Sequence, residues 1–172
     1  MTVTLRSAEV SDVEAIAAIH NQGIEDRIAT LDTNLRTREA TRQWLLERDP
    51  RHAVIVAVRN PAHPAGGAGA EVIGWASLNR FNPRAAYDHV VDFSVYVRRD
   101  CRGEGVGRQL LDALVERARA GGFHKMVLSA LARNRAGVAL YESAGFGAVG
   151  IYREMGWLDD QWVDVLLMER IL

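Results

Sequence analysis

The chain has 172 residues, 48% of them hydrophobic and 25% charged, with a formal net charge of −1 at pH 7. That describes one globular domain large enough for a proper core, residues 1–172, and its charge balance implies no nucleic-acid partner. A single cysteine, Cys101, excludes an internal disulfide and a cysteine-based metal cluster, and the five histidines are scattered without ligand spacing, so no metal is expected.

In chain order, Thr2 to Arg6 alternates like a strand, without the apolar run of a secretion signal. With no stretch long enough to span a bilayer, the expectation is a cytoplasmic protein without a membrane partner. Ser11-Asp12-Val13-Glu14 reads as a capping box opening a helix with Val13, Ile16, Ala17, Ile19 and Ile24 inward. Asn21 to Asp32 reads as irregular. Thr37 begins a second helix, with Trp44, Leu45 and Leu46 inward, stopped by Asp49-Pro50. Ala53 to Val58 and Glu71 to Leu78 read as neighbouring strands joined by the Pro/Gly/Ala-rich loop Asn60 to Ala70. An irregular segment, Arg80 to Asp88, leads to the strand Val90 to Val97, a glycine-rich loop, and a helix from Gly105 to about Ala120 capped by Gly121-Gly122. A strand at Lys125 to Ala130, a helix from Asn134 to Gly145, and strands at Gly147 to Arg153 and Trp162 to Glu169 complete the chain. This order implies one mixed sheet, α/β (α+β) in class, with helices on both faces.

The loop Arg98 to Gly107 reads R-R-D-C-R-G-E-G-V-G. Gly103, Gly105 and Gly107 bare the backbone, so successive N–H groups can face a pyrophosphate at the positive end of the following helix, and Arg102 and Arg108 supply charge. No Lys-Ser or Lys-Thr follows, as a P-loop requires, and no acid stands where a dinucleotide fold needs one. In the preceding strand Asp92, Ser94 and Tyr96 share one face, and because the strand runs straight into the loop, Asp92 falls within a few residues of where a bound thioester should lie, a candidate general base. Cys101 has no adjacent base and reads as incidental.

Two motifs in the right order, R-G-x-G-x-G at Arg102 to Gly107 and N-x-x-(small)-x-x-L-Y-E-x-x-G-F at Asn134 to Phe146, resemble the GCN5-related N-acetyltransferases. That resemblance implies a mostly antiparallel sheet of about seven strands. It implies acetyl-coenzyme A as co-substrate, held by Val95, Tyr96, Val97, Arg102, Gly103, Glu104, Gly105, Val106, Gly107, Arg108 and Asn134, with Tyr141 as the acid for the departing thiolate. A narrower resemblance, to the phosphinothricin, methionine sulfoximine and arsinothricin acetyltransferases, rests on Ile19 to Glu25, Arg84-Ala85-Ala86-Tyr87-Asp88, Val91 to Val97 and Trp162 to Val165. Asp92 stands where that branch usually has Glu, and Tyr141 where its herbicide-detoxifying members have His. The branch implies a small amino-acid-like acceptor whose anionic group pairs with Arg84, bounded by Tyr87, Leu31 and Phe81, with Arg80 a weaker candidate, and it implies a homodimer. Trp157 and Trp162, flanking a polar turn at Gly156 to Gln161, suit such an interface. The alternatives are acetylation of a protein N-terminus or another amine, which Arg84 disfavours for cationic acceptors, and a non-catalytic acyl-coenzyme A-binding module, which would need neither Asp92 nor Tyr141.

Overall fold

The computed structural model describes residues 2–60 and 70–172, so most of the expected Asn60 to Ala70 loop lies outside the described residues. Seven strands form one sheet: β1 (Thr2–Ser7), β2 (Val54–Asn60), β3 (Glu71–Arg80), β4 (Val90–Val97), β5 (Lys125–Leu131), β6 (Gly147–Leu158) and β7 (Gln161–Ile171). Their spatial order is β1-β2-β3-β4-β5-β7-β6. Every pairing is antiparallel except β4 with β5. The helices are α1 (Val13–Glu25), α2 (Arg38–Leu46), α3 (Val106–Ala120) and α4 (Arg135–Ser143).

Two apolar layers hold the helices to opposite faces. Leu110, Leu111, Leu114, Val115 and Ala118 of α3 pack on Ile55, Ala57, Leu78 and Met126, all buried. Ile16 and Ile19 of α1 pack on Val56, Val58 and Trp75 on the other face. Both strand faces of β2 are therefore covered, which is why Val54 to Val58 reads as a continuous apolar run. A bulge opposite Ala57/Val58 leaves Ile73 unpaired, so Ile73 and its neighbour Gly74 both turn towards α3. Gly74 is required there, because a Cβ would meet Leu110 and the Tyr96 carbonyl, each at 3.0 Å.

Several local expectations are corrected. The first turn is not capped by Ser11 and Glu14: a short 3₁₀ turn, Val10–Asp12, precedes α1, and the reciprocal cap joins Glu9 and Asp12. Asp12 is 5% exposed and receives two bonds from Arg6, at 2.6 and 2.8 Å, and one from the Glu9 N–H at 2.8 Å. Burial pushes its pKa up, but these donors outweigh burial and hold the carboxylate below its ordinary value. The helix α1 continues through Glu25, into the stretch expected to be irregular. Leu46 is exposed rather than inward. The last two strands are longer than expected and meet in a two-residue turn, Asp159-Asp160, whose positive φ angles of 53° and 58° suit the right-handed twist of a tight hairpin.

The Leu110 side chain is fully buried beneath β3. Leu110→Ala is expected to cost about 2–5 kcal/mol in urea unfolding, the range for a buried leucine that leaves a cavity.

Candidate active site

The parallel pair β4 and β5 is joined only at Val90↔Lys125, Val91↔Met126 and Asp92↔Val127. Beyond Asp92 the strands part. The Arg98 N–H donates to the Ile73 carbonyl on β3, so strand alternation turns the N–H groups of Val95 and Val97 towards the opened side. A cavity of about 1000 Å³ lies at this opening, lined by Asp92, Ser94, Val95 and Tyr96 of β4, Ala130 and Leu131 of β5, Tyr141 of α4 and residues of the α1–α2 side.

Asp92 stands at the last paired position. Burial raises its pKa to about 6, and the Phe93 N–H and the amide of Asn79, its partner across β3 and β4, offset this only in part. Such a carboxylate is ionised at neutral pH yet basic enough to take a proton. Tyr141 projects from α4 with its ring edge against Phe93, centroids 5.7 Å apart. Burial, with smaller contributions from Tyr96 and Asp92, raises its phenol to about 12, so it keeps its proton throughout the neutral range.

After β4 comes a 3₁₀ turn, Arg99–Cys101, and then the glycine loop. Gly103 and Gly105 both have φ of +82°, a conformation that glycine adopts without penalty, and Gly105 is the N-cap of α3. Among the described residues, the backbone N–H groups of Gly103 to Arg108 find no protein acceptor. Gly107 lies against α4, where a Cβ would come within 3.3 Å of Leu140. The arginines are not free charges, which corrects the simplest reading of this loop. Arg102 pairs with Asp26 and donates to the Val97 carbonyl; Arg108 pairs with Asp112 and donates to the Ser143 carbonyl. Glu104 is held by Arg59 at 2.6 Å. Val106 is buried, leaving its N–H as the part that can face a ligand. Asn134 caps α4, its Oδ1 accepting from the Gly137 N–H at 3.0 Å. A row of unpaired donors at a helix start therefore follows directly on a strand whose edge is also open.

The family model described as Acetyltransferase (GNAT) family matches residues 17–146. The chain belongs to this family. It is 34% identical, over 98% of its length and 94% of the other's, to the L-methionine sulfoximine/L-methionine sulfone acetyltransferase of Pseudomonas paraeruginosa. Two solved structures are close in fold. One is a phosphinothricin acetyltransferase from Sinorhizobium meliloti in complex with AcCoA, 29% identical with a TM-score of 0.89, covering all of this chain and 89% of that one. The other is a ribosomal-protein-alanine N-acetyltransferase from Brucella melitensis, 34% identical with a TM-score of 0.87, covering 98% and 99%. The chain is thus a GNAT N-acetyltransferase of the phosphinothricin-like branch, and the seven-stranded mixed sheet with helices on both faces is the expected fold.

In this GNAT chain not every expected acceptor contact reaches the cavity. Leu31, Tyr87, Asp92 and Arg80 line it; Phe81 and Arg84 do not. Phe81 backs Tyr87 edge-on at 5.5 Å, and Arg84 is exposed before the short turn Ala85–Tyr87. Arg80 donates to the carbonyls of Asn82 and Pro83 and lies 3.7 Å from Asp88. Sequence reasoning missed the opposite wall: His20, Arg36, Trp44, Arg48 and Trp75. His20 is 3% exposed, tilted on Tyr96 and edge-on to Trp75, and burial with the nearby Arg36 lowers its pKa to about 4. The signal lay in α1, where His20 shares the buried face with Ile16 and Ile24.

Gly105→Val places a branched side chain at φ +82° on the rim of the donor row. Isothermal titration is expected to show acetyl-coenzyme A binding weakened by about tenfold or more, since a β-branched residue there must rebuild the loop. An unchanged dissociation constant would remove the loop from the phosphate site.

Proposed function

We propose that this N-acetyltransferase moves an acetyl group from acetyl-coenzyme A to the α-amine of a small amino acid or amino-acid analogue, by direct transfer. The observation that carries the reading is a basic carboxylate and a protonated phenol facing one cavity, at the point where β4 and β5 part and the donor row begins. The names of the Pseudomonas and Sinorhizobium relatives support the choice of acceptor and donor.

The residues fit such a donor. The free N–H groups of Gly103 to Arg108 suit its pyrophosphate, the Asn134 amide has its nitrogen to spare, and the open edge of β4 suits an extended amide-bearing arm. When bound it supplies a thioester carbonyl. The acceptor amine arrives protonated, and Asp92, directly or through one water, takes that proton. The N–H groups of Val95 and Val97, on the open side of β4, would stabilise negative charge on the carbonyl oxygen. Tyr141, with its phenol near 12, is a poor proton source for a thiolate of pKa about 8.5, so it donates a hydrogen bond to the sulfur as the carbon–sulfur bond breaks, and the thiolate takes up the proton that the nitrogen sheds as the amide forms. Cys101 is fully buried and burial raises its thiol, in keeping with transfer that uses no enzyme-bound acyl group.

The reading extends to a cytoplasmic homodimer formed along β6, an edge strand. Among the described residues, Val149, Ile151, Tyr152 and Met155 are exposed there, and the cross-strand rings of Trp157 and Trp162, 54% and 60% exposed, pack edge to face at 5.0 Å. An edge that apolar invites a second copy. Light scattering at low micromolar concentration is expected to give twice 19.0 kDa, and a mass at 19.0 kDa would exclude the dimer.

A second reading, acetylation of a protein N-terminus, is favoured by the name of the Brucella relative. Thiol release measured with phosphinothricin, methionine sulfone, methionine sulfoximine, free amino acids and a peptide with N-terminal alanine separates the two. Turnover of the peptide alone would replace the amino-acid reading.

Asp92→Asn is expected to lower kcat by about a hundredfold or more. In the wild type kcat/KM should rise with pH through about 6, because the base acts when deprotonated, and the variant should lose that limb. The same raised pKa means that stability falls as pH rises from 3.8, where the unfolded carboxyl ionises, to about 6, and stays low above it. Asp92→Asn should therefore melt higher than wild type at pH 7.5, showing that lost activity is not lost folding. A variant whose pH profile superimposes on the wild type would take Asp92 out of the mechanism.

A further inference from the structure

We infer that Arg36 and Arg48, which share the ring of Trp44 in the cavity wall, form the subsite for the acceptor's α-carboxylate. This rests on the amino-acid reading above and says how the acid end of that acceptor is recognised. The guanidinium carbons lie 5.4 and 4.7 Å from the Trp44 ring centroid, and all three residues line the cavity that holds Asp92 and Tyr141.

Both cations lack a counter-ion. Among the described residues no carboxylate lies within 4.0 Å of either, whereas Arg80, in the same cavity, has Asp88. Arg51 turns instead onto the Phe123 ring and two carbonyl oxygens. Arg48 uses Nε on the His52 carbonyl at 2.9 Å, and Nη2 on the Leu78 carbonyl and on Asn79 Oδ1; among the described residues its Nη1 has no acceptor. Burial lowers its pKa to about 10, which leaves it charged at neutral pH. A half-buried cation with a spare donor and no anion is costly to the free protein, and an arriving carboxylate repays that cost through charge-assisted bonds.

Arg36 complements it. Its backbone is clamped at two points by Asn21, whose Oδ1 accepts from the Arg36 N–H at 2.8 Å and whose Nδ2 donates to the Arg36 carbonyl at 3.0 Å. The guanidinium itself makes no hydrogen bond among the described residues. The chain thus fixes where Arg36 starts and leaves its planar fork unused, the arrangement that bidentate recognition of a carboxylate needs.

The acids of the cavity do not compete for these cations. Asp32 stands beside His20, which is neutral, and among the described residues neither it nor Glu47 nor Asp49 comes within 4.0 Å of either guanidinium. Asp92, the desolvated acid among those of the cavity, is the one this reading assigns to the ammonium. It is linked to the arginine pair through one residue, because Asn79 is the cross-strand partner of Asp92 and also accepts from Arg48. A zwitterion then meets a carboxylate at its amine and a guanidinium at its acid group.

The test uses wild type, Arg36→Gln and Arg36→Lys with acetyl-coenzyme A and the best-used amino acid among methionine sulfone, methionine sulfoximine and phosphinothricin, each against its own α-carboxamide. Arg36→Gln is expected to lower kcat/KM for the acid at least about tenfold more than for the amide, mainly through KM, with Arg36→Lys between. An equal effect on acid and amide, or none on either, overturns the subsite while leaving the amino-acid reading intact. Wild-type enzyme that turns over neither member of any pair overturns both.

Discussion

The parting of β4 from β5 is the constraint on which the rest of this structure depends. A sheet that stays fully paired leaves no backbone donor for a ligand and no gap for a side chain from the opposite layer. Here pairing stops after Asp92↔Val127, and β5 carries on against β7 alone. The gap admits Tyr141 beside Phe93, and its rim carries the carboxylate and the strand end that runs into the glycine loop. Unpaired backbone groups inside a protein are costly, so a sheet broken at its centre marks the place where something else completes the bonding.

One cause, burial, moves both candidate catalytic side chains the same way, to different use. It disfavours the charged form of each. For Asp92 that makes a stronger base than an exposed aspartate; for Tyr141 it makes a phenol that stays a donor. The shift in Asp92 comes from the dry wall around it, and its hydrogen bonds to the Phe93 N–H and to Asn79 offset only part of it.

Much of this was legible in the sequence because it is local. The alternation of Val91, Asp92 and Phe93, the periodic leucines of α3 and the Asn134 cap each need only a few neighbouring residues, and each stands where expected. What was not legible depends on distant partners. The cap before α1 moved to Glu9 and Asp12 because Arg6 arrives from β1 with two hydrogen bonds. Leu46 was misjudged because the end of α2 rests on the sheet through Arg48 instead. The cationic wall is built from the chain between α1 and α2, from α2 and from the second residue after it, in a stretch with no motif, and Asn21 sets Arg36 from 15 positions away. Arg84 carries the branch's motif, and it is exposed and outside the cavity lining.

Asp26 follows the last turn of α1, and it is the shared anchor of Arg99 and Arg102, while Gln22 accepts from the Arg99 N–H. The end of the helix that leads into Leu31 and Arg36 is thereby tied to the loop beyond β4. An anion that drew Arg102 away from Asp26 would unload that helix end, and an acceptor that reordered residues 27–36 would change how firmly Asp26 holds the loop. Ligands on the two sides of the sheet opening would then share one carboxylate, and such coupling acts equally in both directions.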